Sequence, residues 1–144
     1  MRILLALAVS VLALTWTADP SRAAGEARVH QVVVPEEDRF SPFSLTIHVG
    51  DSVQWINNDE DDHAIVSDEV FTTAGHKRVN RLLPANGGTF TLQFSRPGVF
   101  VYYCRFHAHL DAENQPIAPG PDGGIQDQNG NFGTPMMGVI AVRP

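Results

Sequence analysis

The fold of this 144-residue chain is decided by the stretch Val99-Phe-Val-Tyr-Tyr-Cys-Arg-Phe-His-Ala-His109. Its first five residues are apolar, β-branched or aromatic, which is typical of a strand in a sheet core. Cys104 comes directly after this run, and His107 and His109 follow it. The stretch therefore predicts a strand that delivers a thiol and an imidazole to one end of a sheet.

Short segments of the same kind lie on both sides of this strand and are separated by turn residues such as Gly50 and Asp51. No segment has a long helical period. We therefore predict an all-β sandwich of about seven or eight strands. The predicted strands are Arg28–Val34, Phe43–Val49, Ser52–Asn57, His63–Val66, Thr89–Phe94, Val99–Tyr103 and Gly138–Val142.

Two regions do not fit the strand pattern. Residues 67–88 contain scattered Gly and Pro and predict a short helix or a long excursion. Residues 110–135 are rich in Pro, Gly, Asp, Asn and Gln. This second region is too long for a simple turn, and such loops are usually functional or disordered.

The N-terminus predicts a secretory signal peptide over residues 1–23. Met1 and Arg2 precede an apolar run, and small residues stand before the expected cleavage point at Ala23. The apolar run is short for a membrane span, so an uncleaved anchor is the less favoured alternative. We expect one domain over residues 24–144, exported to a periplasm or the extracellular space and not integral to a membrane after cleavage.

Charge and cysteine content narrow the classes of function. The chain has 10 basic and 16 acidic residues and a net charge of −6, which argues against nucleic-acid binding. Its single cysteine, Cys104, cannot form an internal disulfide. In an oxidising compartment such a thiol forms an intermolecular disulfide, is liable to unwanted oxidation or binds a metal ion. The alternative is a buried cysteine with no chemical role.

Cys104 has potential partner ligands in a particular order along the chain. His63 lies upstream at the start of a predicted strand, and His107 follows the cysteine at C-x-x-H spacing. Met136 and Met137 precede the last predicted strand. A thiolate, two imidazoles and a thioether are the ligand set of a mononuclear blue-copper site, so we predict one copper ion that cycles between Cu(I) and Cu(II).

In these segments the chain resembles the cupredoxins, the plastocyanin–azurin family of small blue-copper proteins. The resemblance implies a Greek-key sandwich, His63 as the first ligand, and Met136 as the axial ligand with Met137 on the other face. It also implies one-electron transfer between redox proteins rather than catalysis, usually through an exposed edge of one ligand histidine. Expected partners are c-type cytochromes or a copper/haem oxidoreductase. The matching segments are Phe40–Asn57, Asn58–Val66, Gly98–His107 and Met136–Val142.

The long insertion between the C-terminal ligands departs from the family pattern, because His107 and Met136 are 29 positions apart. It leaves His109 open as an alternative to His107, and it leaves the axial ligand open. The insertion either covers the copper, forms a docking surface or leaves a coordination position open. The alternative function is therefore a modified site, with His109 or a carboxylate in the sphere, that binds or reacts with a small redox ligand.

An acidic run, Asp59 to Asp62, stands immediately before His63. It predicts either a solvated turn or an acidic docking patch that steers a basic partner such as a c-type cytochrome.

Overall fold

The computed structural model describes residues 26–68, 72–75 and 78–144, and the predicted signal peptide lies outside these ranges. The described residues contain strands and no helix. None of them forms a helix long and apolar enough to cross a membrane. The strands are β1 Val29–Val34, β2 Ser44–His48, β3 Ser52–Asn57, β4 His63–Asp68, β5 Arg78–Leu83, β6 Thr89–Gln93, β7 Gly98–Tyr103, β8 His109–Leu110, β9 Pro116–Ala118, β10 Ile125–Gln126, β11 Phe132–Thr134 and β12 Met137–Arg143.

Eight of these strands form two sheets, which confirms the predicted all-β sandwich. One sheet has the order β1-β3-β6, and the other has the order β2-β12-β7-β4-β5. Two neighbouring pairs, β1 with β3 and β12 with β2, run parallel, while the other pairs are antiparallel. From β1 to β4, consecutive strands alternate between the two sheets, as expected for Greek-key connections, whereas β4 and β5 pair within the larger sheet.

The sandwich core is centred on Trp55, which is fully buried on β3. Its ring stacks on Phe90 at 5.6 Å, centroid to centroid, and meets Tyr102 edge-on at 5.3 Å. Phe90 lies directly opposite Trp55 on β6, whereas Tyr102 comes from β7 of the other sheet. The pair of Trp55 and Tyr102 thus joins the two sheets, because alternation along each strand directs both rings into the core.

Strand β5 lies within the region for which a helix or an excursion was predicted, and that prediction is wrong for Arg78–Leu83. The strand pairs with β4 at the edge of the larger sheet. Its buried side chains are Val79 and Leu83, four positions apart. The strand was missed because that spacing does not produce the alternation by which a strand is recognised.

The insertion at residues 110–135 is also more regular than a loop, since it holds two small antiparallel sheets, β8-β9 and β10-β11. An aspartate closes the turn in each. Asp111 Oδ1 accepts hydrogen bonds from the N–H groups of Glu113 and Gln115. Asp127 Oδ1 does the same for Asn129 and Asn131. Such Asx turns order a polar segment that has little apolar surface to bury.

Strand register brings three chain segments to one end of the sandwich. Tyr103, at the end of β7, pairs with Val66 of β4 and with Met137 at the start of β12. Because β7 is antiparallel to both neighbours, the end of β7 lies beside the beginnings of β4 and β12. Cys104, His63 and Met136 therefore meet at this end.

Candidate metal centre

Three buried side chains form a compact donor cluster at this end of the sandwich. His63, Cys104 and His107 each offer one ligand atom, and these atoms all lie within 4.8 Å of one another. The Cys104 Sγ atom is 3.8 Å from His63 Nδ1. The two imidazole rings are 4.9 Å apart, centroid to centroid. The cluster joins His63 to a cysteine that is 41 positions away in sequence.

The thiol is fully buried, and this burial raises the pKa of Cys104. Backbone N–H groups of Phe106, Ala64 and His107 act in the opposite direction, and Ala64 N is 3.3 Å from Sγ. These N–H groups would stabilise the negative charge of the thiolate once a cation replaces the thiol proton.

One atom of His107 indicates that the cluster is built for a metal ion. His107 Nδ1 is buried and has no hydrogen-bond partner among the described residues. An unsatisfied buried polar atom costs about 1–3 kcal/mol, so such atoms are rare unless a ligand completes them. The ring's other nitrogen, Nε2, faces Asp38 instead. A soft thiolate together with two imidazole nitrogens is a donor set that suits copper, so the residues fit the ion.

Met136 adjoins this cluster through its backbone. Its carbonyl oxygen accepts from Cys104 N–H at 2.9 Å, and its own N–H donates to the His107 carbonyl at 2.9 Å. Its side chain is fully buried, whereas Met137 is half-buried on β12. The insertion therefore ends with Met136 beside Cys104 and His107.

His109 is placed differently from His107. It is exposed on β8, where it pairs with Ala118, and it is not part of the donor cluster found among the described residues. A backbone hydrogen bond from His107 N–H to the Cys104 carbonyl, 3.2 Å long, turns the chain so that His107 faces back toward the thiol. Glu113 is exposed, and the Asp111 carboxylate closes its own turn.

Two carboxylates lie on the outer side of the histidines, and the sequence pattern did not reveal either role. Asp59 Oδ2 is 3.1 Å from His63 Nε2, and Asp38 Oδ1 is 3.4 Å from His107 Nε2. Asp59 is only 6% exposed, so the interpretation of its run as a solvated turn is wrong for this residue. The only hint of this role in the sequence was that Asp59 lies four residues before His63. Asp38 had no such signal, because it comes from the distant segment after β1.

Burial lowers the pKa of His107, while the charge of Asp38 acts to raise it. Burial likewise raises the pKa of Asp38, against the opposing influence of the two histidines. A neutral imidazole is the form that binds metal ions. The lowered pKa of His107 therefore suits a ligand.

The profile of the copper binding proteins of the plastocyanin/azurin family matches residues 28–112. The chain belongs to this family. The matched residues include the three donors of the cluster, and Met136 lies beyond them. The cupredoxin resemblance seen in the sequence is thereby confirmed, and so is copper as the cofactor that the family binds.

Individual relatives agree with the family assignment. The chain is 34% identical to a plastocyanin of Synechococcus sp. over 112 residues, which cover 73% of this chain and 81% of that protein. It is 39% identical to the chloroplastic plastocyanin of Tetradesmus obliquus over 75 residues, which cover 47% of this chain and only half of that protein.

A solved structure shares the fold. The chain superimposes on a reduced proline-to-phenylalanine variant of amicyanin with a TM-score of 0.52 and 21% identity, covering 85% of this chain and 87% of amicyanin. This likeness supports the fold.

Proposed function

We propose that this protein is an exported type 1 copper protein that carries single electrons between redox partners. The observation that supports this most directly is the buried cluster of one thiol and two imidazoles, with the unpartnered His107 Nδ1 directed away from Asp38. Family membership adds that the ion is copper. Bound copper would supply reversible Cu(I)/Cu(II) chemistry.

In this proposal the ligands are the thiolate of Cys104 and the Nδ1 atoms of His63 and His107. The Met136 thioether would be the fourth donor, in the axial role that the family resemblance implies. The chain's own contribution is rigidity, because each ligand is attached to a paired strand or to a neighbour's backbone. A fixed donor geometry suits electron transfer, since little has to rearrange between the two oxidation states.

The proposed partners are larger redox proteins, such as a c-type cytochrome or a copper/haem oxidoreductase, and the proposed location is a periplasm or the extracellular space. Family membership supports electron carriage rather than catalysis. The buried cluster does not favour a site open to small ligands, because His63 and Cys104 are fully buried and His107 is 4% exposed.

The proposal is tested by loading the mature protein with Cu(II) and recording visible absorption and electron paramagnetic resonance spectra. We expect an intense thiolate-to-copper band with narrow copper hyperfine splitting. Cys104→Ser should abolish the band, because a hydroxyl does not replace the thiolate. His107→Ala should weaken copper binding, whereas His109→Ala, the matched control, should leave it unchanged. A weakly coloured protein with wide splitting would instead support the modified site.

The axial assignment is tested separately. Met136→Leu should keep the colour and raise the reduction potential, because the thioether stabilises Cu(II) more than a methyl group does. Met137→Leu is the matched control and should change neither property. Equal effects of the two substitutions would contradict the axial role of Met136.

A further inference from the structure

Asp38 occupies an unusual backbone conformation between β1 and β2. Its φ angle is +46°, in the left-handed region that few residues other than glycine adopt. The Asp38 Oδ1 atom lies 3.4 Å from His107 Nε2 and 3.9 Å from His63 Nε2. One carboxylate oxygen thus faces the outer edges of both candidate ligand rings.

The chemistry of a metal-bound imidazole indicates a role for the Asp38 carboxylate as a hydrogen-bond acceptor. When Nδ1 binds a metal ion, Nε2 carries the proton and needs a hydrogen-bond acceptor. His63 already has one in Asp59, whose Oδ2 atom is 3.1 Å from its Nε2. For His107, Asp38 is the carboxylate within reach among the described residues.

The insertion packs beside Asp38 and over the ligand loop. Asp122 N–H donates to the Phe106 carbonyl at 3.4 Å. A Cβ added at Gly120 would lie 2.3 Å from that carbonyl oxygen, and one added at Gly123 would lie 3.6 Å from Asp38 Oδ2. The turn at residues 120–123 therefore packs against the backbone of the ligand loop and beside Asp38. The family resemblance implied an exposed edge on one ligand histidine, and His107 is only 4% exposed.

We propose that Asp38 is a positioning residue of the copper site, which accepts a hydrogen bond from His107 Nε2–H and, together with the 120–123 turn, closes that edge of the ring. The inference rests on the proposed function. It predicts that Asp38 holds the tautomer of His107 and stabilises Cu(II) more than Cu(I). The second effect follows because a nearby negative charge favours the ion of higher charge.

Two substitutions separate this role from a structural one. Asp38→Asn keeps the shape of the side chain and tolerates the positive φ angle, but it removes the charge. Asp38→Gly removes the acceptor altogether and accommodates the same backbone conformation. Glu37→Gln is the matched control, because it makes the same change in charge at an adjacent residue whose carboxylate binds Arg39 instead.

The experiment measures Cu(II) and Cu(I) affinities by competition with chelators, together with the reduction potential. Loss of such an outer acceptor typically weakens metal binding about 10- to 100-fold, so we expect a Cu(II) loss of that order in Asp38→Gly. Asp38→Asn should lose less, because the amide oxygen still accepts. The loss for Cu(I) should be smaller in both, and the potential should therefore rise. Glu37→Gln should match the wild type.

A second measurement reports the hydrogen bond directly. In the Cu(I)-loaded, ¹⁵N-labelled protein, the His107 Nε2–H signal should be visible and exchange slowly with water. In Asp38→Gly it should broaden or disappear, because the edge is then open to solvent. If wild-type protein binds copper with the blue spectrum but the Asp38 variants match Glu37→Gln in all these measurements, the role of Asp38 is refuted while the proposed function stands. Failure of the wild type to form a blue site would refute the proposed function itself.

Discussion

Asn57 connects three segments of the chain next to His63, and we predict that its loss is costly. The residue is fully buried at the end of β3. Its Nδ2 atom donates to the carbonyl oxygens of Asp61, Leu83 and Pro84 at 2.8, 3.0 and 3.1 Å. Its Oδ1 atom accepts from Asp59 N–H at 3.0 Å. The amide therefore links the turn before His63 to the end of β5.

The magnitude follows from counting the groups left without partners. The amide has two hydrogens shared among three carbonyls and one oxygen that serves a buried N–H. Asn57→Ala removes about three hydrogen bonds, each worth about 0.5–1.5 kcal/mol, so the free energy of unfolding should fall by about 2–4 kcal/mol. For a domain of this size that corresponds to a drop in melting temperature of about 10 °C.

Asn58→Ala is the matched control, because Asn58 is exposed and its neighbour in sequence. Surface substitutions of this kind stay within about 0.5 kcal/mol of the wild type. The assay is urea unfolding of the metal-free protein, followed by far-ultraviolet circular dichroism. Copper affinity should also fall in Asn57→Ala, since Asp59 loses the contact that orients it toward His63 Nε2. Equal unfolding free energies for the two alanine variants would refute the reasoning.

Two further predictions concern the insertion and the far end of the sandwich. In Gly120→Ala the new Cβ would lie 2.3 Å from the Phe106 carbonyl oxygen, so the free energy of unfolding, measured by thermal denaturation, should fall by about 1–3 kcal/mol. Gly133→Ala is the matched control and should be nearly neutral, because no atom lies within 4 Å of the added Cβ. The pKa of Asp51 is lowered to about 2, chiefly by the hydrogen bond from Arg28 N–H and also by those from His48 N–H and His30. This carboxylate therefore contributes stability above the ordinary pKa of about 3.9, and that contribution is lost as the pH falls toward 2. Between pH 5 and 2.5 the urea midpoint of unfolding should decline less steeply in Asp51→Asn than in the wild type. Identical slopes would contradict the lowered pKa of Asp51.

The strands that alternate clearly were predictable, because burial of one face of a sheet imposes a period of two on the sequence. Ser52–Asn57 was predicted with the bounds that the structure shows. Edge strand β5 was not, because an edge strand packs fewer side chains and Val79 and Leu83 do not alternate. The small sheets of the insertion were missed for a related reason, since Asx turns rather than apolar alternation order them.

The sequence by itself determined the class of the protein and the order of its candidate ligands, because a thiol, imidazoles and a thioether at strand ends are specific in combination. Only the tertiary structure decided that His107 rather than His109 faces the thiol, since this depends on the turn closed at the Cys104 carbonyl. It also decided that Asp38 and Asp59 lie behind the two histidines. Contacts between segments this far apart are set by strand register and loop packing, which no local pattern of residues records.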